Sequence, residues 1–140
     1  MYSNANKSRF LIIIDDSKFD RKINAIIADR MQLFKEVALF PAAGEALDFI
    51  VKNLENPELF PLVILLDIQM PEMDGFEFTN EYEKLPLSFK QKSDIIMISS
   101  TDDIADIERA ASNKNIRKLI KKPLKVDELR QLLDELNLHE

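Results

Sequence analysis

The chain has no cysteine and a single histidine, His139, near its C-terminal end. Without cysteine there can be no disulfide and no thiolate metal site, and the absence fits a reducing cytoplasm. His139 sits where a chain end frays and is read as without a role. No apolar stretch approaches the roughly 18 residues that cross a bilayer. The polar start over 1–9 (MYSNANKSR) lacks the apolar segment of a secretory signal. Basic residues are in deficit: 19 Lys+Arg against 25 Asp+Glu give a formal charge of -6. That balance argues against direct nucleic-acid binding, which favours a basic patch.

What is present is a globular composition, with 46% hydrophobic and 31% charged residues over 140 positions. This suits one domain with a substantial core. The apolar residues are grouped in a telling way. Residues 10–14 (FLIII) end in Asp15-Asp16, 62–66 (LVILL) in Asp67, and 95–98 (IIMI) in Ser99-Ser100-Thr101. Residues 116–120 (IRKLI) end in Lys121-Lys122-Pro123. Short, mostly continuous apolar runs suit strands buried on both faces of a parallel sheet. Segments of helical period alternate with them, as in βαβ units.

The first helix is expected over about 17–34, with Ile23, Ile26, Ile27 and Met31 on its buried face. A short strand at 37–40 and a helix from about Ala42 follow. That helix carries Ala46, Leu47, Ile50, Val51 and Leu54 as its stripe and ends at Asn56-Pro57. Asp74 reads as an N-cap with Glu77 completing a capping box, in a helix running to about Leu85-Pro86. Residues 85–93 read as a polar surface loop, with no task for Phe89 or Lys90. Asp102 or Asp103 would cap a helix bearing Ile104, Ile107, Ala110 and Ala111. A last helix carries Val126, Leu129, Leu132, Leu133 and Leu136. The expected fold is α/β, a doubly wound five-stranded parallel sheet of order 2-1-3-4-5 in a flavodoxin-like (βα)5 sandwich. The expected organisation is a disordered lead-in at 1–8, one domain over 9–138 and no output domain.

Ligands bind at the carboxyl ends of strands in open parallel sheets. Asp15, Asp16 and Asp67 would therefore meet Ser99 and Lys122 along one edge. Three close carboxylates repel, and Mg²⁺, a hard ion held by carboxylates, waters and phosphate oxygens, meets that demand. In phosphoryl transfer, catalysis is mostly positioning and charge stabilisation. Lys122 and Ser99 could each take a phosphoryl oxygen, and Asp67 could be the nucleophile. A blander reading has Asp15-Asp16 capping a helix and Asp67 merely ending a strand. Four strand ends carrying the pattern together favour the site.

Asp15-Asp16-Ser17, then Leu66-Asp67-Ile68-Gln69-Met70-Pro71-Glu72-Met73-Asp74-Gly75, then Ser99, then Lys122-Pro123, resemble the receiver domain of bacterial two-component response regulators. The resemblance covers about 10–136. It implies a cytoplasmic phosphorylation switch in a phosphorelay, not an enzyme beyond its own Asp phosphorylation and dephosphorylation. Asp67 would accept a phosphoryl group from a sensor histidine kinase or histidine phosphotransfer protein. Asp16 and Asp67 would ligate Mg²⁺ through side chains, Gln69 through its backbone carbonyl and Asp15 mainly through water. Ser99 would be the switch hydroxyl, Lys122 the partner of the phosphoryl oxygens, and Pro123 would follow a cis bond. Gly75 would mark a tight turn after Asp67. Signalling would pass through the domain's own surface to a downstream protein, with no nucleic-acid contact and no membrane insertion.

The chain departs from the family at Leu119, where the switch aromatic usually stands three residues before the lysine. An alternative is thus a binding module indifferent to phosphorylation. A Mg²⁺-dependent phosphohydrolase ranks last, because it wants a second aspartate two residues after the nucleophile, where this chain has Gln69. The basic run of Lys114, Arg117, Lys118, Lys121, Lys122 and Lys125 reads as a partner surface or a solvated face.

Overall fold

The computed structural model describes residues 7–137. Most of the expected lead-in, residues 1–6, and His139 lie outside them. Five parallel strands form one sheet in the order β2-β1-β3-β4-β5. They are β1 (Arg9–Ile14), β2 (Phe34–Phe40), β3 (Leu62–Asp67), β4 (Ser93–Ser99) and β5 (Ile116–Lys121). The helices are α1 (Lys18–Met31), α2 (Ala43–Lys52), α3 (Gly75–Glu83), α4 (Leu87–Lys90), α5 (Ile104–Ser112) and α6 (Val126–Asn137). A 3₁₀ turn at Pro57–Leu59 leads into β3. Among the described residues no helix is long and apolar enough to cross a membrane.

The three central strands are buried along their whole length, which is why their sequences are apolar on consecutive positions. Alternate residues serve opposite faces. Ile12, Ile14, Ile64 and Leu66 meet residues of α2 and α3, such as Ile50 and Phe78. Leu11, Ile13, Val63 and Leu65 meet those of α1 and α6, such as Ala28 and Leu133. The edge strands β2 and β5 are only partly buried and carry charged residues.

Several expected boundaries and faces shift. Helix α1 stops at Met31 because Gln32 turns into the left-handed region (φ 56). Phe34 is then free to begin β2 opposite Arg9, three residues earlier than periodicity suggests. The helix packs through Asn24, Ala28 and Met31. Small Ala28 permits close approach to the sheet, and the stripe so defined turns Ile23 and Ile26 outward, 38% and 50% exposed. In α2, Val51 likewise faces solvent, whereas Ala43, Ala46 and Ile50 are buried. Helix α5 rests on the sheet through Ala110 alone, leaving Ile104, Ile107 and Ala111 exposed. Helix α6 buries Leu129, Leu132, Leu133 and Leu136 as its spacing predicts.

The polar loop expected at 85–93 is instead a structural plug. It forms α4 and drives Phe89 into the core, with its ring 5.7 Å from Phe60 and 5.9 Å from Tyr82. Tyr82 shares a 2.7 Å hydroxyl hydrogen bond with Ser93. A buried phenol needs such a partner.

Candidate functional site

Strand register assembles the site. Ile14 stands opposite Leu66, so Asp15 emerges level with Asp67. Asp67 pairs with Ile98, which sets Ser99 one step beyond. Ser99 pairs with Lys121, and Lys122 N–H donates to the Ser99 carbonyl at 2.8 Å. Asp15, Asp16, Asp67, Gln69, Ser99 and Lys122 all line one open cavity of about 710 Å³. The candidate residues named from sequence thus share one place.

Ligand atoms of Asp15, Asp16 and Asp67 lie within 4.8 Å of one another. Asp15 and Asp67 are buried, and Asp16 is exposed. Asp15 is held firmly: its Oδ1 accepts the Ser17 N–H at 2.9 Å, and its carbonyl accepts Arg21 Nη1 at 2.7 Å. Its Oδ2 is buried without a hydrogen bond and has an ion contact of 3.1 Å with Lys122 Nζ. Burial, then the charge of Asp15, raises the Asp67 carboxyl from 3.8 to about 7; Lys122 opposes this and Asp16 adds to it. Such a crowd of hard oxygen donors, one buried without a hydrogen bond and one reluctant to ionise, fits a small divalent cation.

Lys122 Nζ reaches Asp20 Oδ2 at 2.8 Å, Asp15 Oδ2 at 3.1 Å and Asp67 Oδ1 at 3.6 Å. Burial works against its charge. The contacts with Asp20 and Asp15 and the charge of Asp67 outweigh burial and hold the ammonium above its ordinary range. The Lys122–Pro123 bond is cis, as the resemblance implies, and so is Phe60–Pro61, which the sequence reading leaves out. Ser99 is buried, and its Oγ accepts the Thr101 N–H at 3.1 Å. Asp103, of the two candidates, caps α5, while Asp102 pairs with Lys121.

The loop after Asp67 is fixed by two devices. Asp74 and Glu77 form the expected capping box, at 2.8 and 3.2 Å. Gly75 is required by close approach rather than by turn geometry. A Cβ there would stand 2.6 Å from the Asp67 carbonyl oxygen. The left-handed turn belongs to Glu72, at φ 68.

Sequence reasoning missed Asp20, Arg21, Asp106 and Arg109. The available signal for Asp20 was its place in the first turn of α1, directly after the Asp15-Asp16 strand end. Asp106 accepts from Thr101 Oγ1 at 3.3 Å, and the Arg109 guanidinium stacks 4.1 Å from the Phe76 ring centre. Both line the cavity rim. Leu119 is partly buried against the core and does not line the cavity. The basic run is largely neutralised. Lys114 pairs with Glu83 at 2.9 Å and Arg117 with Asp94 at 2.7 Å.

Residues 11–134 match the family described as the response regulator receiver domain. The histidine kinase CKI1 of Arabidopsis thaliana is 30% identical over 103 residues, which are 69% of this chain and 9% of that protein. A response regulator receiver protein from Dyadobacter fermentans is 38% identical. Its crystal structure superposes with a TM-score of 0.82, covering 91% of this chain and 96% of that one. The CKI1 receiver domain complexed with Mg²⁺ and BeF₃⁻ shares the fold, with 24% identity and a TM-score of 0.76 over 94% of this chain and 93% of that one. With the family match spanning all four strand ends that build the acidic cavity, this chain belongs to the response regulator receiver domain family.

Proposed function

We propose that this chain, as the receiver unit over 9–138, is a phosphorylation-dependent switch of a two-component phosphorelay, with Asp67 as its phosphoacceptor. The observation that carries the reading is the buried Asp67 carboxylate facing an open polar cavity, beside two further carboxylates and the Lys122 ammonium. The family is one of signalling switches rather than metabolic enzymes. The phosphodonor is a histidine kinase or histidine phosphotransfer protein, and the signal leaves through the domain's own surface to a protein partner in the cytoplasm.

In the transfer, an Asp67 oxygen forms a bond to phosphorus as the phosphorus–nitrogen bond of a phosphohistidine breaks. The imidazole leaves with the electron pair, and Asp67 becomes an acyl phosphate. Asp67 must be ionised to attack, although its surroundings hold it near 7. Asp16 and Asp67 through their side chains, Gln69 through its carbonyl and Asp15 through water would hold Mg²⁺, which would supply counter-charge for these carboxylates and the phosphoryl oxygens. Lys122 offers an ammonium donor to a phosphoryl oxygen. Ser99 releases its Oγ from the Thr101 N–H and donates its hydroxyl to another. Displacement of Ser99 alters the 99–103 segment that leads into α5, a helix that buries only Ala110 among its residues. A loosely anchored helix is a suitable two-state element.

A second reading draws on Leu119. An aliphatic side chain packed against the core cannot make the aromatic swing between exposed and buried states. The domain would then bind its partner with equal affinity in both states. Intact mass after incubation with acetyl phosphate and Mg²⁺ tests the first reading. It expects one added phosphoryl group in the parent and none in Asp67→Asn or with a chelator. An adduct that persists in Asp67→Asn would defeat it. Partner affinity unchanged by the adduct would favour the second.

A further inference from the structure

Of the three carboxylates around Lys122, the one nearest its ammonium is not a member of the acidic triad. Asp20 Oδ2, from the first turn of α1, stands 2.8 Å from Lys122 Nζ, against 3.1 Å for Asp15 and 3.6 Å for Asp67. Asp20 takes the Lys122 hydrogen bond, Asp15 adds a close ion contact, and Asp67 at 3.6 Å lies beyond hydrogen-bond reach, so the ammonium is drawn toward Asp20 and away from Asp67. The Lys122 side chain is 20% exposed and that of Asp20 35% exposed, so the pair is only partly screened by solvent. Asp20 is itself anchored. Its N–H donates to the Ser17 N-cap at 3.2 Å, and its carboxylate sits at the positive end of α1.

We propose that Asp20 is a positioning residue that competes with the phosphoryl group for Lys122 and so weakens the phosphorylated state. For Lys122 to hold an oxygen on phosphorylated Asp67, it must give up or share its shortest contact. The Asp20 charge also stands at the cavity edge, where it repels an incoming anion. Both effects act in the same direction. Removing the Asp20 charge frees the ammonium and lowers the repulsion. The proposal rests on Asp67 being the phosphoacceptor.

The test measures BeF₃⁻ affinity in saturating Mg²⁺ by titration calorimetry for the parent, Asp20→Asn, Lys122→Met and the double variant. Asp20→Asn keeps the side-chain shape and should bind BeF₃⁻ about three- to tenfold more tightly, the scale of one ordinary net hydrogen bond. In the Lys122→Met background most of this gain should vanish, a coupling that a merely structural role for Asp20 would not produce. Phosphorylation by phosphoramidate should quicken in Asp20→Asn by a similar factor. Unchanged or weaker BeF₃⁻ binding in Asp20→Asn, or a gain that survives Lys122→Met in full, overturns the competition while leaving the Asp67 reading intact. A parent that does not bind BeF₃⁻ at all overturns both.

Discussion

Replacing Asp67 with asparagine should stabilise the metal-free protein. The Asp67 carboxyl is held near 7 rather than 3.8, chiefly by burial and then by Asp15. A shift of that size corresponds to about 4 kcal/mol of unfavourable free energy in the folded, ionised state. Asparagine keeps the shape and removes the charge. The raised value already includes the opposing attraction of Lys122, which at 3.6 Å is the weakest of the lysine's three contacts. The gain should therefore approach about 4 kcal/mol. The sign with pH follows from the raised value. Below 3.8 Asp67 is protonated whether folded or unfolded, and the parent has no deficit. Between 3.8 and about 7 the unfolded chain ionises first, so the deficit grows, and above 7 it is complete. Urea unfolding followed by circular dichroism, in chelator at pH 8 and again at pH 4, gives the comparison. Equal midpoints at pH 8, or an advantage for Asp67→Asn that grows on acidification, would refute the reasoning. Excess Mg²⁺ should erase most of the advantage, because the parent then regains its counter-charge.

Mg²⁺ at about 100 times its dissociation constant should stabilise the parent by about 2.7 kcal/mol, reversed by chelator. Its affinity should fall as pH drops through about 7, because protons compete for Asp67; calorimetric titration at pH 6 and pH 8 reads this. Gly75→Ala should cost about 1–3 kcal/mol, since its Cβ would press on backbone rather than on a flexible side chain. It should also slow acetyl-phosphate labelling by displacing Asp67, which mass spectrometry would follow. Phe89→Ala should cost about 3–5 kcal/mol, the range for emptying a buried aromatic site, while leaving Mg²⁺ affinity unchanged.

The candidate site was legible because register converts sequence into geometry. Once residues 10–14 and 62–66 are taken as neighbouring parallel strands, the residues that follow them must lie side by side, and Asp15 meets Asp67. Ser99 and Lys122 follow by the same logic through β4 and β5. Helix faces were less legible. In α1 periodicity favoured Ile23 and Ile26, yet the sheet accepts Ala28, whose smallness matters more than hydrophobicity where a helix must approach closely. In α5 the apolar residues Ile104 and Ile107 imitate a core stripe but lie on the surface. The 85–93 segment misled in the opposite way: its polar composition concealed one aromatic, Phe89, which fixes the whole connection.

Asp20 was missed for a related reason. Three residues after the Ser17 cap, an acidic side chain is adequately explained as a favourable charge in a first helical turn. The contact that distinguishes it spans 102 positions, to Lys122, and no local pattern carries that pairing. The strand ends place Asp15, Asp67, Ser99 and Lys122 through the backbone register of the sheet. Asp20 enters from a helix, by its side chain alone. The two groups should respond differently to substitution. Changes at the strand ends should abolish or grossly disturb phosphoryl acceptance, whereas changes at Asp20 should grade it. Asp20 can grade the strength of the proposed switch because it touches Lys122, which in turn reaches Asp67.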